Sequence, residues 1–313
     1  MPGTRGPEAF GGMTTQRVRT GPLEVGYLDS GPADGDPVIL LHGFPYDVHS
    51  YSAVLPSLVA QGRRVIVPYL RGHGPTTSLD DAGRSGQQSA VGADVIELMD
   101  ALGIERAVLA GYDWGGRAAC VAAALWPERC AGLVVVNGYL IQDIAAAARP
   151  LAPDREAGFW YFFYFATERG RVGLTDNRRE LARTIWLRNS PEWRFTEADL
   201  DRAAVAFDNP DYVEVVIHSY RHRLGLAPGH PRYSEFERRL VATPAITVPA
   251  VTLDGGNDGN FPATDGSAYE RHFLGGHRHH VVPGAGHNLP QEVPQAFADA
   301  IAELTGLQAR GAS

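Results

Sequence analysis

Cysteine is scarce in this 313-residue sequence, which contains only Cys120 and Cys130. Two cysteines cannot build the disulfide framework of a small secreted domain, so we expect two buried thiols. The sequence also lacks the stretch of about 20 apolar residues that a membrane-spanning helix needs. Residues 1–12, rich in glycine and proline, lack the charged-then-apolar pattern of a signal peptide. These absences predict a cytoplasmic protein with a disordered tail over residues 1–15.

Positive charge is also in short supply. The chain has 28 Lys and Arg residues against 36 Asp and Glu residues, which gives a formal net charge of -8. A nucleic-acid-binding protein needs a basic face to neutralise phosphates, so this balance argues against nucleic acid as a partner. With 44% hydrophobic and 20% charged residues the chain is globular, and the expected partners are small neutral or weakly charged molecules rather than a membrane. The assembly state stays open, with a homodimer as one option.

What the sequence does contain is a series of short apolar runs separated by helical patterns. Runs of four or five almost wholly apolar residues are typical of strands buried on both faces of a parallel sheet. The apolar runs and the helical patterns between them cover residues 37–41, 51–60, 64–67, 88–102, 107–110, 117–125 and 133–136. Their alternation predicts an α/β fold in which helices cover both faces of a parallel sheet.

The alternation stops after the fourth apolar run. Residues 139–244 are helical, aromatic and rich in arginine, and strand patterns resume at 246–253 and 279–282. A helical insertion between two late strands predicts a lid over the carboxyl edge of the sheet, where ligands bind in open α/β folds. The predicted division is therefore a cap, residues 139–244, inserted into a core of residues 16–138 and 245–309.

A sharp turn follows the third apolar run and carries an aspartate. Gly111, Asp113 and Gly115 match the G-x-S-x-G nucleophile elbow, in which a strand turns tightly into a helix and exposes the central side chain. The simpler alternative is an ordinary turn whose aspartate caps the following helix. At an elbow, a carboxylate is suited to attack a saturated carbon and ill suited to open an ester or amide. Asp113 thus predicts a substrate with a leaving group on sp3 carbon, such as an epoxide oxygen or a halide.

An acidic loop and a glycine-flanked histidine follow Asp113 along the chain, each after a predicted strand. His287 ends a Gly-x-Gly-His loop, and Asp254 and Asp258 lie in the loop after the preceding strand. Nucleophile, acid, histidine is the order expected for an elbow of this kind. We assign Asp258 as the acid that orients His287, because it lies deeper in the loop, and Asp254 as the fallback.

The loop after the first apolar run, His42-Gly43-Phe44-Pro45, is placed to bind an oxyanion. In folds with such an elbow, this loop supplies one backbone N–H group and the residue after the nucleophile supplies the other. We therefore expect the backbone N–H groups of Phe44 and Trp114 to form the oxyanion hole. His42 is expected to make structural hydrogen bonds rather than to act as a base.

Together these motifs resemble the α/β-hydrolase superfamily over about residues 20–305. The combination of His-Gly-Phe-Pro, Gly-x-Asp-Trp-Gly-Gly and Gly-x-Gly-His looks like its epoxide hydrolase branch. The resemblance implies an α/β-hydrolase fold: a mostly parallel eight-stranded sheet flanked by helices, with an inserted helical cap. It also implies conversion of an apolar epoxide to a vicinal diol through a covalent ester on Asp113. That route requires no metal and no organic cofactor.

Epoxide hydrolases hold the epoxide oxygen with two tyrosines of the cap, and the resemblance places these at Tyr161 and Tyr220, with Tyr164 as a substitute. The expected wall of the site is aromatic, which favours an apolar, aryl-bearing epoxide. The residues assigned to substrate binding are Phe44, Trp114, Trp160, Phe162 and Tyr164, with Phe163 beside them.

Two dehalogenase families share the Asp–His–Asp set and remain alternatives. Haloalkane dehalogenases commonly carry an asparagine at the position of Phe44, and haloacetate dehalogenases an arginine at the position of Trp114, so each lacks a donor in this chain. A third alternative is a non-catalytic ligand-binding protein on the same scaffold, because a fold alone does not ensure turnover.

Three further polar features are given structural interpretations. Arg117, on the helix after the elbow, is expected to form a salt bridge, and Arg221–Arg223 to form a solvated helix edge. The histidines within residues 277–280 are expected to lie on a strand surface, because adjacent strand side chains point to opposite faces and do not converge on a metal.

Overall fold

The computed structural model describes residues 9–10 and 13–311, with side chains described for residues 14–304. The strands are β1 (Ala9–Phe10), β2 (Met13–Thr14), β3 (Gln16–Arg19), β4 (Leu23–Ser30), β5 (Pro37–Leu41), β6 (Arg64–Pro68), β7 (Thr77–Ser78), β8 (Ala107–Gly111), β9 (Cys130–Val136), β10 (Ala250–Gly255) and β11 (His277–Val282). The α-helices are α1 (Leu55–Ala60), α2 (Gln88–Ala101), α3 (Asp113–Leu125), α4 (Pro153–Gly158), α5 (Trp160–Phe165), α6 (Glu168–Asp176), α7 (Arg178–Asn189), α8 (Glu197–Ala204), α9 (Tyr212–Arg223), α10 (Ser234–Leu240), α11 (Ser267–Glu270), α12 (Leu289–Glu292) and α13 (Pro294–Gly311). Short 3-10 helices lie at Val48–Tyr51, Asp81–Arg84, Pro127–Arg129, Ile144–Ala146, Val205–Asp208 and Pro231–Tyr233.

One large sheet organises the chain, in the order β11-β10-β9-β8-β5-β6-β4-β3, with β7 paired to β4. All neighbours from β11 to β6 are parallel, whereas β4 pairs antiparallel with β6, β3 and β7. The predicted α/β-hydrolase fold is therefore confirmed. The sheet has nine strands rather than the predicted eight. The additional strand is β7, whose two residues pair with β4 through the backbone and lack the apolar run by which strands were predicted.

Helices cover this sheet because its central strands are apolar on both faces. All five residues of β8 are buried, and six of the seven residues of β9 are buried. Helices α2 and α3 pack on each other, and α3 also packs on β8 and β9. Helices α1 and α13 pack on each other; α1 also packs on β6, and α13 on β9 and β10. Apolar burial on this scale is the main stabilising contribution to such a fold.

The carboxyl ends of the parallel strands all lie at one edge of the sheet, as parallel pairing requires. Loops leave this edge after β5, β8, β9, β10 and β11. Residues that lie far apart in sequence are therefore brought together above the same edge, and it is here that the site forms.

The segment between β9 and β10 contains the helices α4 to α10. Its last helix contacts the core: Arg239 donates to the carbonyl of Leu125 at 2.9 Å, and the rings of Phe236 and Trp126 lie 4.9 Å apart. By packing, α10 thus belongs with α2 and α3, although the sequence division assigned it to the cap. At the base of the insertion, the phenol of Tyr139 donates to the carbonyl of Pro244 at 2.7 Å.

Three further predictions concern the N-terminal tail, the two cysteines and membrane-spanning helices. The predicted disordered tail, residues 1–15, lies partly outside the described residues, and β1 and β2 pair antiparallel within its described part. Cys120 and Cys130 are free and buried, as predicted. Within the described residues, no helix combines the length and apolarity that crossing a bilayer requires.

Candidate active site

The turn between β8 and α3 holds Asp113 in a conformation that few residues adopt. Its φ angle is 50°, in the left-handed region. The turn is tight because backbones approach closely around it: a Cβ atom on Gly115 would lie 2.0 Å from the carbonyl oxygen of Leu41, and one on Gly43 would lie 2.6 Å from the Cβ of Asp113. Glycine at both positions lets the β5 loop and the start of α3 meet. The Gly-x-Asp-x-Gly pattern therefore forms the predicted elbow, and the residue with the strained backbone is Asp113.

Backbone N–H groups fix one oxygen of the Asp113 carboxylate. The Phe44 N–H donates to Oδ1 at 2.7 Å, and the Trp114 N–H also faces this carboxylate. Burial alone would raise the pKa of Asp113, but the His287 ring and these two N–H groups outweigh burial and lower it. The nucleophile candidate is therefore ionised, and the two predicted oxyanion donors already surround it.

His287 lies between two carboxylates. Its Nδ1 is 2.8 Å from Asp258 Oδ2, and its Nε2 is 3.5 Å from Asp113 Oδ2. The second oxygen of Asp258 accepts from the N–H groups of Asn260 and Phe261, both at 2.8 Å. These bonds hold the Asp258 carboxylate in the orientation that faces the imidazole.

The fallback residue, Asp254, faces elsewhere. It is still within β10, and one of its carboxylate oxygens accepts from the Thr264 backbone and hydroxyl at 2.9 and 3.0 Å. The phenol of Tyr269 lies 3.4 Å from the same carboxylate. The structure therefore separates the two candidates and brings Asp258, not Asp254, to His287.

The imidazole of His287 is 1% exposed, so its charge state depends on its neighbours. Burial opposes protonation, but the carboxylates of Asp258 and Asp113 outweigh burial and raise the pKa of His287 to about 10. In the resting site, the imidazole is thus positively charged between two negative groups. Nε2 makes no hydrogen bond to any described residue and points at the space beside Asp113.

The cap clamps the loop that carries His287. The Ser190 hydroxyl, just after α7, accepts from the N–H groups of His287 and Asn288 at 2.9 and 3.2 Å and donates to Glu292 at 2.7 Å. The carbonyl of Asn189 accepts from the Gly259 N–H at 2.9 Å. The end of α7 therefore forms hydrogen bonds with both the loop that carries His287 and the loop that carries Asp258. No sequence motif predicted this contact.

His42 has the structural role predicted for it. The Leu70 N–H donates to Nε2 at 3.0 Å, so the ring proton lies on Nδ1, which donates to the Gly43 carbonyl at 2.9 Å. Burial lowers the pKa of His42 well below its ordinary range, and the ring is neutral. With both nitrogens engaged, it has no free nitrogen to act as a base.

Two connected chambers lie between the carboxyl edge and the cap. The inner chamber, of about 10 Å³, is lined by Asp113, Trp114, Arg117, Asn137, Leu140, Phe159, Tyr161, Phe162, Arg223, Phe261 and His287. The outer chamber, of about 390 Å³, opens outward and shares with it Arg117, Leu140, Phe159, Phe162, Arg223 and Phe261. These shared residues form the neck between the chambers. The inner volume is about that of a single water molecule, so only the reacting groups fit beside Asp113.

The two predicted cap tyrosines lie together but are not equivalent. Tyr161 lines the inner chamber, and its hydroxyl accepts from the Asn260 amide at 3.2 Å. The ring of Tyr220 lies 5.5 Å from that of Tyr161 and 5.8 Å from that of Trp114, yet it lines neither chamber. Burial raises the pKa of both phenols, so both are neutral at physiological pH.

Of the residues assigned to substrate binding, Trp114 and Phe162 line the inner chamber, and Phe163 lies at the exposed mouth of the outer one. The other three, Phe44, Trp160 and Tyr164, line neither of these chambers, because their side chains pack within the protein. The buried ring of Phe44 stacks on that of Trp114, with the ring centroids 5.4 Å apart. Trp160 stacks beside Tyr164, and the Tyr164 hydroxyl lies against Gly173 of the next cap helix.

Two arginines interpreted as structural belong to the site instead. Arg117 has no ion-pair partner among the described residues, although a salt bridge was predicted, and it lines both chambers. Arg223, taken as part of a solvated helix edge, lines them too. The missed signal was spacing: Arg117 is four residues after Asp113 and Arg223 three after Tyr220, so each shares a helix face with its neighbour.

Asn137, which follows β9, was also missed as a site residue. It lines the inner chamber at a φ angle of 67°, and its amide donates to Asp258 at 3.1 Å. A polar residue directly after a parallel strand beside the elbow strand was the available signal. The histidines within 277–280 bring no metal site with them, since no described group of three His, Cys, Asp or Glu residues could hold an ion.

Comparisons with known proteins agree with this geometry. The model of the alpha/beta hydrolase fold family matches residues 36–292. A crystal structure of a candidate epoxide hydrolase from Klebsiella pneumoniae is 49% identical, with a TM-score of 0.90, over 93% of this chain and 96% of that one. Epoxide hydrolase A of Mycobacterium tuberculosis is 27% identical over 96% of this chain and all of its own length.

A haloalkane dehalogenase of Mycolicibacterium paratuberculosis is 36% identical, but over only 39% of this chain and 40% of its own length. The similarity to dehalogenases is therefore partial, whereas the similarity to the two proteins above extends over nearly the whole chain. The family match covers the elbow, the cap and both catalytic loops. The chain belongs to the alpha/beta hydrolase fold family.

Proposed function

We propose that this protein is an epoxide hydrolase that opens an epoxide through a covalent ester on Asp113 and releases a vicinal diol. One observation carries the proposal: an ionised carboxylate at the elbow shares an inner chamber with the neutral phenol of Tyr161. A carboxylate can attack the ring carbon while a phenol donates to the ring oxygen. The names of its extensive relatives point the same way.

In the first step, Asp113 Oδ2 bonds to one epoxide carbon, and the bond from that carbon to the ring oxygen breaks. Oδ2 is the nucleophile because Oδ1 is held by the Phe44 N–H. The oxygen that leaves takes its proton from Tyr161, with Tyr220 behind it. Ester formation removes the negative charge of Asp113, and with it one of the two carboxylates that raise the pKa of His287.

In the second step, His287 acts as the base. Its pKa falls when Asp113 is esterified, so it loses its proton, which balances the one that Tyr161 gave up. The neutral Nε2 then takes a proton from water, and the water oxygen attacks the ester carbonyl. The oxyanion forms on Oδ1, already bonded by the Phe44 N–H and beside that of Trp114. Collapse breaks the bond between the Asp113 carbonyl carbon and the alkyl oxygen, which takes the second water proton from the new carboxyl group. The diol leaves with an oxygen from Asp113, and the Asp113 carboxylate and the protonated His287 are restored.

The decisive test is intact-mass analysis of a His287→Gln variant mixed with styrene oxide and with 1,2-epoxyhexane. We expect an adduct of the epoxide's mass on the peptide that contains Asp113, because the first step survives while the second stalls. The control is the double variant Asp113→Asn, His287→Gln, which should give none. Absence of an adduct in the single variant, together with no diol from the wild type, would overturn the proposal.

Dehalogenation is the second candidate, and one observation favours it. The indole N–H of Trp114 is buried at the inner chamber beside the Tyr220 phenol, where it makes no close hydrogen bond and is placed as a halide donor would be. The second donor that haloalkane dehalogenases commonly use is absent at Phe44. Halide release from 1-bromohexane without diol formation from epoxides would establish this function. Turnover of neither substrate class, with ligand binding that survives Asp113→Ala, would indicate a binding protein.

A further inference from the structure

The neck between the two chambers holds two guanidinium groups joined by a neutral amide. Gln142 Oε1 accepts from Arg223 Nε at 3.1 Å and from Arg117 Nη1 at 3.4 Å. Arginine pairs inside proteins are usually bridged by a carboxylate, because the charges otherwise repel. Here the bridging group carries no charge, and no described carboxylate lies within ion-pair distance of either arginine.

The orientation of Gln142 is fixed by its surroundings. Its side-chain amide nitrogen donates to the Arg223 carbonyl at 2.9 Å, so its oxygen must face the guanidinium groups. Its backbone is held on both sides by Gln88, which accepts from the Gln142 N–H and donates to the Gln142 carbonyl, both at 2.9 Å. The arginine pair is therefore held by a built network rather than by chance contact.

The pair retains unused donors and an unbalanced charge. Arg117 Nε is buried and has no acceptor among the described residues. Burial and the charge of Arg223 lower the pKa of Arg117 to about 9, and the carboxylate of Asp113, one helical turn earlier, offsets them only in part. The guanidinium of Arg223 lies 4.4 Å from the centroid of the Phe162 ring, which holds it at the neck. The pair therefore keeps donors and positive charge directed at the neck.

The position of the arginine pair determines how far an anion bound there lies from the carbon that reacts. Arg117 is one helical turn after Asp113 on α3, and Arg223 is one turn after Tyr220 on α9. Side chains one turn apart on a helix have Cβ atoms about 5–6 Å apart. An anion at the neck therefore lies a few bonds from a carbon that Asp113 attacks, while the rest of the substrate occupies the outer chamber.

We propose that this Arg117–Gln142–Arg223 site binds a carboxylate of the substrate, so that the preferred substrates are epoxides carrying a carboxylate a few bonds from the ring. The planar fork of a guanidinium matches a carboxylate in two parallel hydrogen bonds. The preference for carboxylated epoxides as substrates rests on the proposed epoxide hydrolysis. Binding of a carboxylate at this site does not. It replaces the purely apolar substrate expected from composition with one that has a charged end.

The first test compares 5,6-epoxyhexanoate with 5,6-epoxyhexanamide, which differ only in the charge of the terminal group. We expect kcat/KM of the wild type to be at least 10-fold higher for the acid. Arg117→Gln and Arg223→Gln should each reduce that ratio to below 2, mainly by raising KM for the acid. Gln142→Glu should do the same with both arginines present, because it supplies an internal carboxylate. Arg221→Gln, on the same helix but outside both chambers, is the control and should keep the preference.

The second test separates binding from turnover. In the inactive Asp113→Asn background, calorimetry should show hexanoate binding at least 10-fold more tightly than hexanamide, and Arg117→Gln should abolish the difference. Carboxylate-selective binding without turnover of any epoxide would support the site and overturn the proposed function. Turnover of acid and amide at equal rates, or equal losses on both in the arginine variants, would overturn the site and leave the function standing.

Discussion

The Asp113 side chain changes the properties of its neighbour by reacting. As a carboxylate it helps to hold a proton on His287, 3.5 Å away, and as an ester it no longer can. The same residue thus acts as nucleophile and sets the charge state of the base for each half of the cycle. Asp258 keeps the ring oriented through its bond to Nδ1.

This relation predicts a measurable pKa change. Asp113→Asn has the shape of the native side chain but, like the ester, no charge, so the pKa of His287 should fall from about 10 in the variant. The direction follows because removing a nearby negative charge destabilises the imidazolium form. NMR titration of the His287 ring in both proteins measures it, with Asp254→Asn as the control for a distant carboxylate. An unchanged pKa would mean that Asp258 alone sets the charge of His287.

The two cap tyrosines should differ in their contribution. Tyr161→Phe is expected to slow ester formation about 100-fold or more, the usual effect of losing a general acid. Tyr220→Phe should slow it by less than that, because Tyr220 does not line the inner chamber. Rapid-quench mass analysis in the His287→Gln background measures this step, and Tyr164→Phe is the control that should change nothing. Equal losses at Tyr161 and Tyr220 would show that both phenols reach the epoxide oxygen.

For individual residues, the sequence predicted the site positions at strand ends better than those on helices. Asp113, Asp258 and His287 all follow parallel strands, whose carboxyl ends must meet, so their proximity could be foreseen. The directions of Trp160 and Tyr164 could not, because a helix can be rotated about its axis and only packing fixes which face turns inward. Arg117 was misjudged for a related reason: a salt bridge needs a partner in space, which sequence does not show.

Among the secondary structure elements, the parallel strands were located from sequence because burial on both faces leaves a nearly continuous apolar run. Edge strands leave a weaker trace, and β7 left none because its two residues, Thr77 and Ser78, pair through the backbone. The packing of α10 on the core was likewise not predicted. Helix α10 has an ordinary amphipathic pattern, and only its contacts with Leu125 and Trp126 show that it packs on the core.

The end of α7 gives a prediction about how the cap supports the site. Ser190→Ala should lower the free energy of unfolding by about 1–3 kcal/mol, because the Asn288 N–H loses the Ser190 hydroxyl, the His287 N–H keeps only its longer bond to the Asn189 carbonyl at 3.3 Å, and Glu292 loses a donor. Urea denaturation measures this, and kcat for diol formation should fall with it, since the His287 loop loosens. Thr175→Ala, an exposed hydroxyl bonded within α6, is the matched control and should cost almost nothing. Equal stability of both variants would show that the clamp contributes little.

For the whole molecule, the net charge of the chain does not show the charge of its pocket. A net charge of -8 argues against a basic surface, yet the outer chamber is lined by four arginines and two acidic residues. Composition averages over the chain, whereas a substrate meets only the residues that the fold assembles at one place. This is why the fold could be predicted from pattern, but the charge of the pocket required coordinates.

Cap and core are joined by aromatic contacts, which predicts cooperative unfolding. The Trp186 N–H donates to the Pro45 carbonyl at 2.8 Å, and its ring stacks on Tyr46 at 5.3 Å. Tryptophan fluorescence, to which the cap contributes Trp160, Trp186 and Trp193, should therefore report the same urea midpoint as far-UV circular dichroism. Trp186→Phe should lower both midpoints together. A fluorescence transition at lower urea than the dichroism transition would show that the cap melts first.

The bond between the Tyr139 phenol and the Pro244 carbonyl has an evolutionary consequence. Because the chain departs from the scaffold and returns to it at one spot, the intervening stretch is a module with adjoining ends. Recombination can graft a different module at that spot without altering the strand order beneath. New specificities can then arise by exchange of a whole block, while the reactive carboxylate and its imidazole are inherited unchanged.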